Sequence, residues 1–447
     1  MTELIASCSG LWRDIRSEFR SPHPPAMRCR AGLALLLLFG VVFAFFYFRL
    51  EFARQFLDMP APPGKPFYND DCILASDPGR YSHGLFQGHY LAFHLARHPL
   101  VVMLNAAIAE PLTWLGIRQP VAISISLAFW AAMSSVTIAL FLLRQRLSLS
   151  VSILATLAVL LTFGTVTTLS VVETYSVSLW AIAMSLLIMA EMARHCAKYP
   201  ALTSVIAGLA CGVLAGWSHL PAAAFSLVYA GFSWASLNGG VGRKLTFGVA
   251  VPSVIAVTCM MAPVVFLGIV LDGDPFMEPT EMVGRYADAA NFTNPEIIKD
   301  YVAGFFLFSW VAPAETVQCR FLLDRLWEIL RDPSRLALTI LATILIGWAI
   351  VSGTRTPGRA PLVLAVWTLV GTFFVFYLFF NPLEVLLYSS HWTTAIILGS
   401  VILLREKPGL VLLLSGIVAL SLYVNVSPLA DPASFDPAQC CPHGGRN

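Results

Sequence analysis

The chain reads as an all-α polytopic membrane protein, and three observations predict that class. Of its 447 residues 57% are hydrophobic and only 12% are charged, about half the charged share of a soluble domain. The apolar residues come in unbroken runs of roughly 18 to 25, long enough to cross a hydrocarbon core about 30 Å thick. Lys and Arg gather in short connecting loops, the bias of cytoplasmic loops in membrane proteins. A mean hydropathy of +0.74 agrees, whereas a net charge of +2 says little by itself. These features exclude a soluble enzyme, a nucleic-acid binder and a disordered chain.

Residues 1–30 form a basic segment expected to be cytoplasmic, holding Arg13, Arg16, Arg20, Arg28 and Arg30. Within it, Leu4 to Phe19 suits an amphipathic helix on the inner membrane surface. The first span, 31–50, is followed by no small-residue cleavage site and is expected to stay as an uncleaved helix. Residues 51–119 make a first outer loop with interfacial helices. Six further spans are placed near 120–143, 150–169, 175–193, 201–218, 220–237 and 246–270. A second outer loop, 272–334, carries re-entrant or amphipathic segments. Spans near 335–352, 361–380, 390–404 and 408–426 bring the total to about eleven, before an outer tail at 427–447. The run 99–117 is long enough to cross. Crossing would put Arg144, Arg146 and the Arg194/His195/Lys198 cluster outside. Laid along the outer interface or re-entering, it makes every basic loop cytoplasmic (144–146, 194–198, 243–244, 352–359 and 405–407), which decides for that arrangement. Pro99, Glu110 and Pro111 interrupting the run agree, and the same logic makes 301–318 interfacial or re-entrant.

The nine cysteines show no metal-type spacing. Cys196, Cys211 and Cys259 fall in or beside apolar helices as small core residues. Cys72, Cys319, Cys440 and Cys441 are expected outside, where disulfides are permitted, with their pairing open.

Polar chemistry concentrates in the outer loops. The first reads Tyr68-Asn69-Asp70-Asp71-Cys72, then Ser76-Asp77-Pro78-Gly79-Arg80-Tyr81, with His83, His89, His94, Arg97 and His98-Pro99-Leu100 following. A carboxylate at the membrane face can take a proton from an attacking hydroxyl. Arg or His can stabilise a departing phosphate, Arg with a planar fork of donors. Asp70 and Asp71 read first as solvated charges or caps, whereas Asp77, fixed by the Pro-Gly turn after it, reads as functional. Only His94 and His98 of the four histidines share a helix spacing, which favours hydrogen bonding over zinc. A divalent metal held by Asp77 with acids of the second loop is possible, but no motif supports one, and no cofactor is firmly expected.

Glu173, in Val171-Val172-Glu173-Thr174-Tyr175, sits at an outer hairpin, where capping the next helix and binding substrate are equal readings. His219 lies at the next such hairpin, and Glu384, Tyr388 and His391 at a later one. Trp217 and Trp392 read as interfacial belt residues. The second loop, with Asp274, Glu278, Glu281, Arg285, Tyr286 and Asp288, is long enough for a lid or acceptor-binding segment. Asn291-Phe292-Thr293 is a glycosylation sequon that matters only in a eukaryotic secretory context.

In order and topology, the series Asp77-Pro78-Gly79-Arg80-Tyr81, His98-Pro99-Leu100, Arg144-Gln145-Arg146, Glu173-Thr174-Tyr175 and His219 resembles the GT-C superfamily of membrane glycosyltransferases. The likeness is to its protein O-mannosyltransferase and aminoarabinose-transferase branch, and within it to bacterial transferases of the dolichyl-phosphate-mannose type. It covers residues 31 to 240 well and the rest by helix pattern alone. It implies a GT-C-like bundle in a bacterial inner membrane, a polyprenyl-phosphate sugar donor, and inverting transfer to a glycan, lipid or protein acceptor on the periplasmic face. The family's acidic residue maps to Asp77 as base, with Asp71 competing, because the family commonly has Asp-Glu where this chain has Asp77-Pro78. His98-Pro99-Leu100 takes the place of a His-Pro-Pro-Leu element near the donor phosphate, with the second proline missing. Arg80 and Arg97 join it there. Glu173, Tyr175, His219, Tyr388 and His391 line the sugar or acceptor pocket.

Two other classes compete. A lipid-linked-sugar transporter would need charges near the bilayer midplane, of which there are few. A non-catalytic subunit of a glycan-assembly complex would bind lipid without turnover. A polysaccharide polymerase or ligase, third, would yield a product ladder.

Overall fold

A computed structural model of the chain describes residues 2–19, 25–54, 98–171, 174–270, 289–313, 316–317, 320–321, 329, 331–356, 358–380, 382–405 and 407–426. Among them seven helices are long and apolar enough to cross a membrane, or eight when one bent pair counts as a span. The protein is all-helical and membrane-embedded, apart from a two-residue antiparallel ladder between β1 (Thr316–Val317) and β2 (Arg320–Phe321).

Helix α1 (Thr2–Phe19) precedes α2 (Pro25–Arg54), few of whose described apolar side chains are buried, as suits a helix facing lipid. One edge of α2 packs on α4 (Gln119–Arg144), with the Phe39 and Phe129 rings edge to face at 5.8 Å. Between them α3 (Pro99–Trp114) begins on a proline, whose fixed φ and missing N–H suit the first turn. The helix runs through Pro111 rather than stopping there, and the chain turns only at Gly116, at φ +84°. At 16 residues α3 falls short of a full span.

The expected single span over 150–169 is broken. Helix α5 (Leu149–Leu160) and α6 (Phe163–Leu169) meet at 73°. In an apolar setting the backbone groups freed by a break need partners, and distant segments supply them. Phe163 N–H donates to Trp310 O at 3.3 Å and Gly164 N–H to Ser309 O at 3.0 Å. The buried Asn425 amide donates to Leu161 O at 2.7 Å and Trp310 O at 2.8 Å, and its Oδ1 accepts from Ala312 N–H at 2.9 Å. A Cβ on Gly164 would lie 1.6 Å from Ser389 Oγ, so only glycine fits at this elbow.

Helix α7 (Tyr175–His195) is followed by α8 (Pro200–Leu209), which continues in π-type turns to Gly216. A tight 3-10 turn, Leu220–Phe225, leads from His219 into α9 (Ser226–Ser233). Short α10 (Val241–Leu245) runs through π-type turns into α11 (Val251–Val270). Small residues let α8 and α11 touch closely: a Cβ on Gly208 would lie 2.7 Å from Pro252 O. Then come α12 (Pro295–Ala303), α13 (Pro333–Arg355), α14 (Ala360–Phe380), a 3-10 turn at Pro382–Tyr388, α15 (Ser389–Leu403) and α16 (Leu410–Ser421). Helix α15 lies at the centre, with every one of its residues buried, whereas few of those of α2 are.

One end of the bundle is ionic. Glu191, buried on α7, accepts from Arg144 Nη2 at 2.6 Å and Arg194 Nη1 at 2.9 Å, joining the C-termini of α4 and α7. Lys244 donates to Trp234 O and Arg359 to Leu403 O, both at 2.8 Å, cations against helix C-terminal carbonyls. Helix α1 docks beside them. Leu11 is buried, a Cβ on Gly10 would meet Tyr199 Oη at 2.5 Å, and Lys198 Nζ donates to Asp14 at 2.8 Å. That hydrogen bond holds the Asp14 carboxyl below its ordinary range and the Lys198 ammonium above its own.

Cys196 and Cys211 are buried free thiols, and Cys259 is half-buried. Cys72, Cys319, Cys440 and Cys441 lie outside the described residues. Trp392 corrects the belt reading. It is fully buried, its ring stacked on Phe305 at 4.0 Å and its N–H donating to Phe305 O at 3.0 Å. Trp217, half-buried, donates to Cys259 O at 2.8 Å.

Candidate functional site: an imidazole–tyrosine cluster

At the bundle end opposite the Arg144–Glu191 clamp, residues far apart in sequence meet. His98 precedes α3, Tyr175 opens α7, and His219 sits in the sharp turn between α8 and α9. Tyr388 closes the 3-10 turn before α15, and His391 lies in the first turn of α15. These five were singled out as polar residues at the edges of apolar runs, and the fold brings all of them together.

His219 is the hub. Its ring centroid lies 4.7 Å from that of His391, 5.4 Å from His98, 5.3 Å from Tyr388 and 6.2 Å from Tyr175. Tyr388 stacks on Tyr377 at 4.4 Å with the planes 9° apart. Tyr377 Oη and His391 Nδ1 are hydrogen-bonded at 2.8 Å. His219 and His391 are 8% and 0% exposed, so these are interior rings and not solvated loop groups.

The hydrogen bonds fix part of the proton inventory. His98 Nδ1 lies 2.8 Å from Ser218 O. A carbonyl oxygen only accepts, so Nδ1 carries the hydrogen and Nε2 is the basic nitrogen of the neutral ring. Among the described residues, His219 Nδ1 and His391 Nε2 are buried without a hydrogen-bond partner. A buried polar atom left unpaired costs about 1–3 kcal/mol, and such atoms are where a ligand gains most by binding.

Tyr377 was not singled out. It is the only tyrosine of α14, surrounded in sequence by Phe373, Phe374, Phe376, Phe379 and Phe380, and it reads as one more apolar aromatic. Its hydroxyl was the available signal, since a buried Tyr O–H in an apolar helix needs a partner. Asp71, Asp77, Arg80, Arg97 and Glu173 lie outside the described residues, as does the side chain of Glu384. Among the described residues no group of three or more His, Cys, Asp and Glu is arranged to hold a metal ion.

Arg97 and Glu173 sit one and two residues from cluster members in the chain. Chemically, the cluster combines neutral imidazoles, which both donate and accept, with tyrosine hydroxyls and flat ring faces. Such a surface can hold hydroxyl or phosphate oxygens and can take up a proton. Compared with family models, with curated proteins and with solved structures, the chain matches none.

Proposed function

We propose that the protein is a GT-C-type glycosyltransferase of a bacterial inner membrane, moving a sugar from a polyprenyl-phosphate donor to an acceptor at the periplasmic face. The observation that carries this reading is the meeting of His98, Tyr175, His219, Tyr388 and His391 at the bundle end away from the basic loops. Under the positive-inside bias the ionic end is cytoplasmic and the aromatic end external. Counting the bent α5–α6 pair and the shorter apolar stretches Pro200–Gly216, Leu220–Ser233 and Leu410–Val426 as crossings beside the seven long helices would make eleven.

A lipid-linked sugar is an amphiphile. Its phosphate sits at the interface and its tail lies among helices, so an enzyme using it needs polar groups at one membrane face over apolar helix surfaces. In the proposed reaction the acceptor hydroxyl attacks the anomeric carbon opposite the phosphate, with inversion. The new C–O bond forms as the sugar–phosphate bond breaks, Asp77 takes the hydroxyl proton, and the polyprenyl phosphate leaves. Arg80, Arg97 and His98 stabilise the phosphate, and Glu173, Tyr175, His219, Tyr388 and His391 face the sugar or acceptor.

The test is transfer by the reconstituted protein from a panel of labelled polyprenyl-phosphate sugars. Asp77→Asn is expected to lower transfer at least about 100-fold, the size of a lost general base, with folding unchanged. Full activity in that variant would move the role to Asp71. Lipid binding without turnover for every donor would leave the non-catalytic subunit in its place.

A further inference from the structure

Resting on the transferase reading, we infer that the His219/His391 pair takes up one proton as the polyprenyl phosphate becomes a monoester, so that charge is balanced inside the site. The donor is a phosphodiester with one negative charge. When the sugar–phosphate bond breaks, the released monoester carries a second charge near neutral pH, and the acceptor hydroxyl has lost a proton. The single proton released by the acceptor, taken first by Asp77, passes on to the imidazole pair and pairs with that second charge, so that no atom or electron is left over.

The geometry singles out this pair. Both rings are more than nine-tenths buried, their centroids are 4.7 Å apart, and each has one nitrogen without a partner, Nδ1 of His219 and Nε2 of His391. His98 is less suited, because its Nδ1 hydrogen is committed to Ser218 O and its ring is only half-buried. The described titratable groups facing the pair are His98 before α3, Tyr175 from α7, Tyr377 from α14 and Tyr388 from the turn before α15. None of these described groups is a carboxylate, a lysine or an arginine, so no described charge already answers the pair. A dianion of low mobility then supplies the attraction that makes protonation of one imidazole favourable, and the second imidazole shares the hydrogen bonds. Tyr377, bonded to His391 Nδ1, fixes the ring orientation in which Nε2 is presented.

The experiment is calorimetric titration of the full-length protein in lipid nanodiscs at pH 8, in two buffers of different ionisation enthalpy. The ligands are a short-chain polyprenyl monophosphate and its methyl phosphodiester, which keeps a single charge. The wild type is expected to take up about one proton per monophosphate and none per diester, since free imidazoles are neutral at this pH. The monophosphate Kd should then rise up to about tenfold per pH unit above pH 7. In His219→Gln and His391→Gln the uptake per bound monophosphate should vanish. Monophosphate binding without uptake in the wild type overturns the inference whatever the variants do, as does uptake that persists in both variants. If neither phosphate binds at all, the transferase reading itself fails, which is a different result.

Discussion

The two ends of the bundle are built on opposite rules. At the ionic end, charges are matched: buried Glu191 answers Arg144 and Arg194, and at the surface Asp14 answers Lys198. At the aromatic end, neutral rings converge and two buried nitrogens are left unanswered. A membrane protein can hold a buried charge only by pairing it, as Glu191 is paired here. Unmatched polar atoms cost stability that a fold tolerates where a ligand completes them. Under the transferase reading, the donor binds at the aromatic end.

The largest effect should come from breaking the matched end. Glu191→Gln leaves two guanidinium groups beside a helix junction without their counter-charge, and stability is expected to fall by about 3 kcal/mol. Denaturation of the purified protein measures it, while transfer per folded molecule stays near wild type. A loss of specific activity as large as the loss of stability would break the contrast between the ends. Gly164→Ala comes next. The added Cβ drives against Ser389 at the start of α15, costing about 1–3 kcal/mol by overpacking. Here activity should fall as well, because Ser389 lies two residues from His391.

Tyr377→Phe removes only the hydroxyl bonded to His391, at about 1 kcal/mol in stability. Transfer should drop by more than the fraction of molecules unfolded, and a variant as active as wild type would remove Tyr377 from the site. Asp14→Asn should have the smallest effect, loosening α1 without touching the cluster. Because the Asp14 carboxyl is held below its ordinary range, the Asp14–Lys198 contact is fully present above that range and is lost as pH falls through the lowered value. Protease access to α1, followed from pH 7 to pH 3, should rise in the wild type and be high throughout in the variant.

Much of this contrast was legible in the residues. Apolar runs bounded by Arg and Lys placed the long helices to within a few positions, because burial in lipid demands length and hydropathy and little else. His98, Tyr175, His219, Tyr388 and His391 stood out because a polar group beside an apolar run needs a reason. The elbow at Leu161–Thr162 did not show, since the groups that brace it, Trp310, Ala312 and Asn425, are remote in sequence. Trp392 was misread for a related reason: an aromatic at a helix end looks the same whether it faces lipid or, as here, Phe305. Tyr377 was hidden among phenylalanines, and only its hydroxyl's bond to His391 separates it from them.

The most direct test is sugar transfer by proteoliposomes carrying the wild type, His219→Gln, His391→Gln or Glu191→Gln, each corrected for folded protein. Transferase function at the aromatic end requires wild-type transfer of single sugars with inverted linkage, lost in both histidine variants and kept in Glu191→Gln. Donor that crosses the bilayer with no new glycosidic bond, or transfer indifferent to both histidines, would contradict it.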